Sequence, residues 1–182
     1  MIIRPAQISD YARIASLHAD SWRRTYRGLF SDAFLDHEAD ADRQRVWMRR
    51  LESAPANQYV LVAEEAANVT GFICIYGGED PRWGALIDNL HVAHKLRRRG
   101  IGRQLMAQAF AWLEQHHATA AVYLWVMENN LNARGFYENL GASNTGVVEK
   151  PNPVGGGSAR NCRYVWASPL HLCHSLIAQK EP

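Results

Sequence analysis

A chain of 182 residues with 47% apolar and 10% aromatic side chains can bury a sizeable core, and its formal charge of +2 lacks the cationic excess of a general nucleic-acid binder. No run approaches the roughly 18 consecutive apolar residues needed to cross a bilayer, and "MIIRPAQISD" lacks the charged start and apolar stretch of a signal peptide. Cys74, Cys162 and Cys173 form no C-x-x-C pair, so the expectation is a cytoplasmic protein with free thiols and neither membrane nor nucleic-acid partner.

In chain order, "MIIRP" reads as a short strand, after which Ser9 or Asp10 can cap a helix carrying Ile14, Leu17, Trp22 and Tyr26 at helical spacing, with Gly28 beyond its end. A second helical region, 31–51 with a break near Glu38, offers Phe34, Leu35, Val46, Trp47 and Leu51 as inward residues. "QYVLVAEE" and "VTGFICIYGG" form an antiparallel hairpin around "AAN", and "GALIDNLHVA" is a further strand. A helix from Gly100 to about His117 buries Ile101, Leu105, Ala109, Trp112 and Leu113. "AVYLWVM" then reads as a strand covered on both faces. Ala133, Phe136, Tyr137 and Leu140 recur at spacings of three and four before Gly141, which marks a short helix and its C-terminal cap. "ASNTGVVEK" and "RNCRYVWA" pair as final strands across the Pro- and Gly-rich "PNPVGGG". The order predicts a mixed α/β (α+β) sheet with one strand-helix-strand crossover, in a single domain over 1–167 followed by a tail at 168–182 that can be helical.

The most informative stretch is "HVAHKLRRRGIGRQLM". A helix N-terminus exposes unpaired N–H groups at the positive end of its dipole, glycines let an anion approach the backbone, and Arg97, Arg98, Arg99 and Arg103 surround the same point. This reads as a pyrophosphate cradle. It is not a P-loop, and it lacks the third Gly of a dinucleotide fingerprint.

Arg97, Gly100 and Gly102 do fit R-x-x-G-x-G, and in this the chain resembles the GNAT superfamily of N-acetyltransferases. "ENNLNARGFYENLGA" resembles the second signature of that family, N-x-x-A-x-x-F-Y-E-x-x-G-F, through Asn130, Ala133, Phe136, Tyr137, Glu138 and Gly141. Ala142 replaces the terminal aromatic. "SWRRTYRGLFSDAFLD" is similar to the first helices of a bacterial branch. The resemblance implies a mixed, mostly antiparallel central sheet with flanking helices and a central β-α-β unit that binds acetyl-CoA. The backbones of Leu90, His91 and Val92 would line the pantetheine arm. Arg97, Arg98, Arg99, Gly100, Ile101, Gly102 and Arg103 would hold the pyrophosphate, with Asn130 and Tyr137 as further cofactor contacts.

Acetyl transfer to an amine needs a neutral nucleophile, an oxyanion donor and a proton for the departing thiolate. Tyr137 is the candidate acid, because a phenol stays protonated at neutral pH yet can donate to a thiolate. The Val92 amide is the candidate oxyanion donor. Asp88 is the candidate base if regular alternation puts it on the face of Leu86, Leu90 and Val92, a setting that could raise its pKa, and His91 competes for that role. Trp22 and Tyr26 are expected at the acceptor end, with the Gly-rich loop over the same cleft. Arg23, Arg24 and Arg27 favour an acceptor bearing a carboxylate or phosphate. A small-molecule amine leads; the alternatives are a peptide or protein amine and a non-catalytic acetyl-CoA-binding module. The sheet edges leave room for a homodimer, and the H-x-x-C-H tail at His171, Cys173 and His174 is not expected to bind metal.

Overall fold

In the computed structural model, which describes residues 1–117, 121–152, 154 and 157–167, strand alternation decides the architecture. Along β2 (Gln58–Glu65) and β3 (Asn68–Asp80) both faces are apolar. Leu61, Ala63, Ile73 and Ile75 enter one core, and Val60, Val62, Phe72 and Cys74 enter another. Such strands must lie inside a sheet covered by helices on both sides.

They do, in a seven-stranded sheet with β1 (Ile2–Pro5), β4 (Gly84–Val92), β5 (Val122–Met127), β6 (Ser143–Pro151) and β7 (Ser158–Trp166), ordered β1-β2-β3-β4-β5-β7-β6. Every neighbouring pair is antiparallel except β4 and β5. Helices α1 (Tyr11–Thr25) and α2 (Ala39–Glu52) cover one face through Ile14, Ala15 and Trp47. On the other face, α3 (Ile101–His116) buries Ile101, Leu105, Met106 and Phe110, and α4 (Leu131–Glu138) adds Tyr137. The parallel pair is joined by α3, as the crossover pattern predicts.

Local chemistry departs from expectation at several points. The side chain of Asp10 does not cap α1; it turns back to accept from the Gln7 amide at 2.8 Å and from Arg4 at 2.7 Å. The expected break near Glu38 is a π-helical turn, Phe34–Glu38, ahead of α2. Trp47 is fully buried, whereas Val46 and Leu51 are half-buried. Trp112 lies at the margin of α3, stacked on Tyr59 with ring centroids 4.6 Å apart. The hairpin turn places Ala66 at φ 49° and Ala67 at φ 61°. Positive φ at both central residues is the geometry a two-residue hairpin selects, and here it is adopted without the usual Asn or Gly.

Two irregularities shape the centre of the sheet. Pairing between β4 and β5 comprises Ala85 with Val122, Leu86 with Tyr123 and Ile87 with Leu124, after which the strands part. Immediately beyond, β4 bulges: Ile87 faces Ile75 and Asn89 faces Cys74, leaving Asp88 as the extra residue. Residues 168–182, with His171, Cys173 and His174, lie outside the described residues, as do Gly155 and Gly156 of the loop.

Candidate active site

The opening between β4 and β5 is the natural centre of a site, because it leaves backbone groups unpaired inside a sheet. The Ala93 amide donates to the Thr70 carbonyl on β3 at 2.8 Å. By antiparallel alternation, the amide and carbonyl of His91 also turn to β3, while those of Leu90 and Val92 turn towards the opening. This is the row of donors and acceptors that an extended amide-bearing arm would pair with. His91 departs from its expected role. Its backbone belongs to β3, and its ring packs against Phe72 on the α1 side, 5.1 Å between centroids.

Beyond β4, a short turn leads through Arg97 to Gly100, which sits at φ 78° and occupies the N-cap of α3 without a side chain to cap it. The first amide of this end with an intrahelical acceptor is Gln104, bonded to Gly100 at 3.0 Å. The amides of Ile101, Gly102 and Arg103 therefore point out of the helix start as free donors. Arg98, at φ 63°, is also left-handed, which curls the loop around this end. Arg97 and Arg98 are exposed and have no ion-pair partner among the described residues. Arg99 instead reaches Glu65 on the neighbouring hairpin at 3.5 Å. Arg103 has a buried Nε without a hydrogen-bond partner among the described residues. The two glycines differ in their reason for being there. Gly100 requires the left-handed backbone, whereas a Cβ on Gly102 would come 3.4 Å from the Phe136 ring.

On the α4 side, Asn130 caps the helix by accepting from the Ala133 amide at 3.2 Å. The helix buries Tyr137 against Phe136 and Trp166. The Tyr137 hydroxyl has no hydrogen-bond partner among the described residues; burial pushes its pKa well above the usual phenol range, and nearby Tyr26 adds to this. Tyr26 sits at the end of α1 and packs on the aromatic cluster of Trp22 and Phe30. Trp22 is buried in a cluster with Phe30, Phe34, Leu35 and Ala39, and the Arg43 guanidinium lies 4.1 Å over its ring. It is therefore largely core, with Tyr26 the more accessible of the expected pair. Beyond β6, Asn152 donates to the Leu29 carbonyl at 3.3 Å, and Val154 packs on the same cluster.

Asp88 is corrected in its facing. Alternation after Ile87 turns it towards α2, where its Oδ2 accepts from Arg50 Nη1 at 2.6 Å, and the bulge moves Leu90 and Val92 away from its face into the opposite core. The same Arg50 Nη1 donates to Asn89 Oδ1 at 2.9 Å. The arginines of α1 are also corrected. Arg24 pairs with Asp20 at 2.9 Å, Arg27 with Asp32 at 2.8 Å and with Asp36, and Arg23 with Asp40. They are neutralised within the chain and offer an anionic acceptor little net charge.

Sequence reasoning missed Arg50 and a buried polar group around His18. The indole of Trp47 donates to His18 Nδ1 at 3.0 Å, and the His91 Nδ1 lies 2.8 Å from Ser21 Oγ. The two imidazoles sit 4.5 Å apart, and His18 Nε2 is buried without a partner among the described residues. Burial holds both neutral: His18 is driven well below the ordinary histidine range, and His91 falls to about 3, with Arg97 and Arg43 adding to the effect. A folded-state pKa below the unfolded value means stability is present above about pH 6.5 and is lost as pH falls. Between pH 7.5 and pH 5.0 the unfolding free energy should drop by about 2 kcal/mol for His91, with His18 acting in the same direction. Urea melts at the two pH values check this, and the drop should shrink in His91→Gln.

Among the described residues, no group of three or more His, Cys, Asp or Glu is placed to hold a metal, and no helix is long and apolar enough to cross a membrane. Residues 15–142 match the profile of the acetyltransferase (GNAT) family. A probable N-acetyltransferase of Mycobacterium tuberculosis is 30% identical over 142 residues, which cover 75% of this chain and 76% of the relative. An uncharacterized N-acetyltransferase of Bacillus subtilis is 28% identical over 131 residues, covering 70% and 72%. Among solved structures, the PaiA N-acetyltransferase of Thermoplasma acidophilum in complex with coenzyme A superposes with a TM-score of 0.68 at 17% identity, covering 91% of this chain and 98% of that one.

Proposed function

Because the chain belongs to the acetyltransferase (GNAT) family, we propose that it transfers the acetyl group of acetyl-CoA to a primary amine by direct attack in a ternary complex. The observation that carries this reading is the opening of β4 from β5, with the amides of Leu90 and Val92 turned into it and the uncapped start of α3 at its mouth. Amides in the opening suit the pantetheine arm. The amides of Ile101, Gly102 and Arg103, with Arg97 and Arg98, suit the pyrophosphate. The coenzyme A complex of the structural neighbour supports the same class of ligand.

The chemistry then divides among few groups. The amine attacks the thioester carbonyl, and the developing oxyanion is stabilised by an amide of β4, with Val92 the assigned donor. Tyr137 donates its proton to the departing thiolate. Asp88 receives the proton of the attacking amine, directly or through water, from its position at the bulge. His91, held neutral by burial with its pKa lowered to about 3, is a poor base. A small-molecule amine is the leading acceptor, with a peptide or protein amine as the alternative.

Calorimetric titration with acetyl-CoA, followed by thiol release against a panel of amines, tests the reading. Saturable one-site binding and acetylated product by mass spectrometry are expected. An absence of acetyl-CoA binding overturns it.

A further inference from the structure

We infer that the acceptor is a zwitterion, an α-amino acid or a close analogue, recognised by Arg50 and Asp88 acting as a pair. The inference rests on the transferase reading above and deepens it.

The pair sits where an acceptor must arrive. Asp88 directly follows Ile87, the last residue of β4 paired with β5, so its carboxylate stands at the point where the strands open. Arg50 reaches it from α2, on the face opposite α3 and α4, and thus opposite the phosphate-binding end of the site.

Each member of the pair uses only part of its bonding capacity. Arg50 spends Nη1 on Asp88 Oδ2 at 2.6 Å and Asn89 Oδ1 at 2.9 Å, while Nε and Nη2 have no partner among the described residues. Asp88 Oδ1 is likewise without a partner among the described residues. Both side chains are partly open to solvent, at 28% and 29% exposure. A guanidinium bonded to Asn89 through Nη1, with its Cζ 5.2 Å from the Trp47 ring centroid, presents its other edge as a forked donor for a carboxylate.

Charge complementarity selects the ligand. A cation and an anion in direct contact present opposite charges a few ångströms apart, the separation of the ammonium and carboxylate on one α-carbon. A diamine would set its second cation against Arg50, and an amine without a carboxylate would leave the guanidinium edge desolvated and unpaired. In the zwitterion, the carboxylate takes the free edge of Arg50 and the amine lies against Asp88 Oδ1. Asp88 takes one proton from the bound ammonium and passes it to solvent, so that nitrogen attacks the thioester as the neutral amine, and it takes the second proton as the N–C bond forms. The N–C bond forms, the C–S bond breaks, and the thiolate takes its proton from Tyr137. Arg23, Arg24 and Arg27 do not compete for the carboxylate, since aspartates already neutralise them.

The test compares free amino acids with their amides, which keep the amine and side chain but lose the carboxylate. In the wild type, kcat/KM should favour the acid by about 100-fold or more. In Arg50→Gln this ratio should collapse towards unity, and in Arg50→Lys, which keeps the charge without the fork, it should fall to an intermediate value. Near-UV circular dichroism and the thermal midpoint confirm that the variants are folded. A ratio near one in the wild type, or a ratio unchanged in Arg50→Gln, overturns the inference. A second readout does not depend on turnover: calorimetry of free amino acids into the protein saturated with coenzyme A should give binding by at least one of them. If none binds while acetyl-CoA binds and other amines are acetylated, the zwitterion inference fails and the transferase reading stands. If acetyl-CoA itself does not bind, the transferase reading fails first.

Discussion

Tyr137→Phe is expected to lower kcat by roughly 100- to 1,000-fold while leaving acetyl-CoA affinity within about a factor of two, because it removes a proton donor and almost no packing. The ring is buried between Phe136, Tyr164 and Trp166, contacts that phenylalanine retains. Only the hydroxyl is lost, and it has no hydrogen-bond partner among the described residues, so no internal donor or acceptor is stranded. A thermal midpoint close to wild type is therefore expected. The pH profile adds a signature. Burial drives the phenol above its ordinary value of about 10, so Tyr137 should impose no alkaline loss of kcat below about pH 10. Steady-state kinetics and calorimetry on the same preparation decide the matter. If kcat is preserved, the thiolate takes its proton from water or another group, and Tyr137 is a packing residue.

The parts legible in the sequence are those fixed by local backbone chemistry. Gly100 is recognisable because a left-handed N-cap without a side chain excludes most residues, and Asn130 because its carboxamide meets an amide three residues on. The mixed α/β fold followed from the order of strands and helices and from the continuous apolar run of "AVYLWVM", which marks a strand covered on both faces. What escaped depends on contacts between distant segments. Arg50 meets Asp88 across 38 positions, and His18 meets Trp47 across 29, with nothing nearby in the sequence to mark either pair. Whether Leu90 and Val92 share the face of Asp88 turned on one extra residue in β4, since a single bulge reverses every side chain beyond it relative to a regular strand. Charge at α1 misled for a related reason: Arg23, Arg24 and Arg27 read as a basic patch until the fold set Asp20, Asp32, Asp36 and Asp40 against them.

Gly100→Glu should weaken acetyl-CoA binding by about 100-fold or more, equivalent to ~2.7 kcal/mol, while the protein still folds. The fold survives because the position is open: a Cβ there meets nothing nearer than Gln104 Nε2 at 3.8 Å. Holding a non-glycine residue at φ 78° costs about 1 kcal/mol, and a carboxylate at the start of α3 recovers part of that from the helix dipole. The same carboxylate is what defeats the ligand. It lies among the free amides of Ile101, Gly102 and Arg103, competes for them, and repels the pyrophosphate that Arg97 and Arg98 would attract. Gly100→Ala separates the two effects, since it carries the backbone strain without the charge and should lose stability of about 1 kcal/mol with a much smaller loss of affinity. Raising the salt concentration should narrow the gap between the Glu and Ala variants, because the repulsion is screened and the strain is not. Equal affinity of Gly100→Glu and wild type would mean that the pyrophosphate lies elsewhere, and the start of α3 would lose its assigned role.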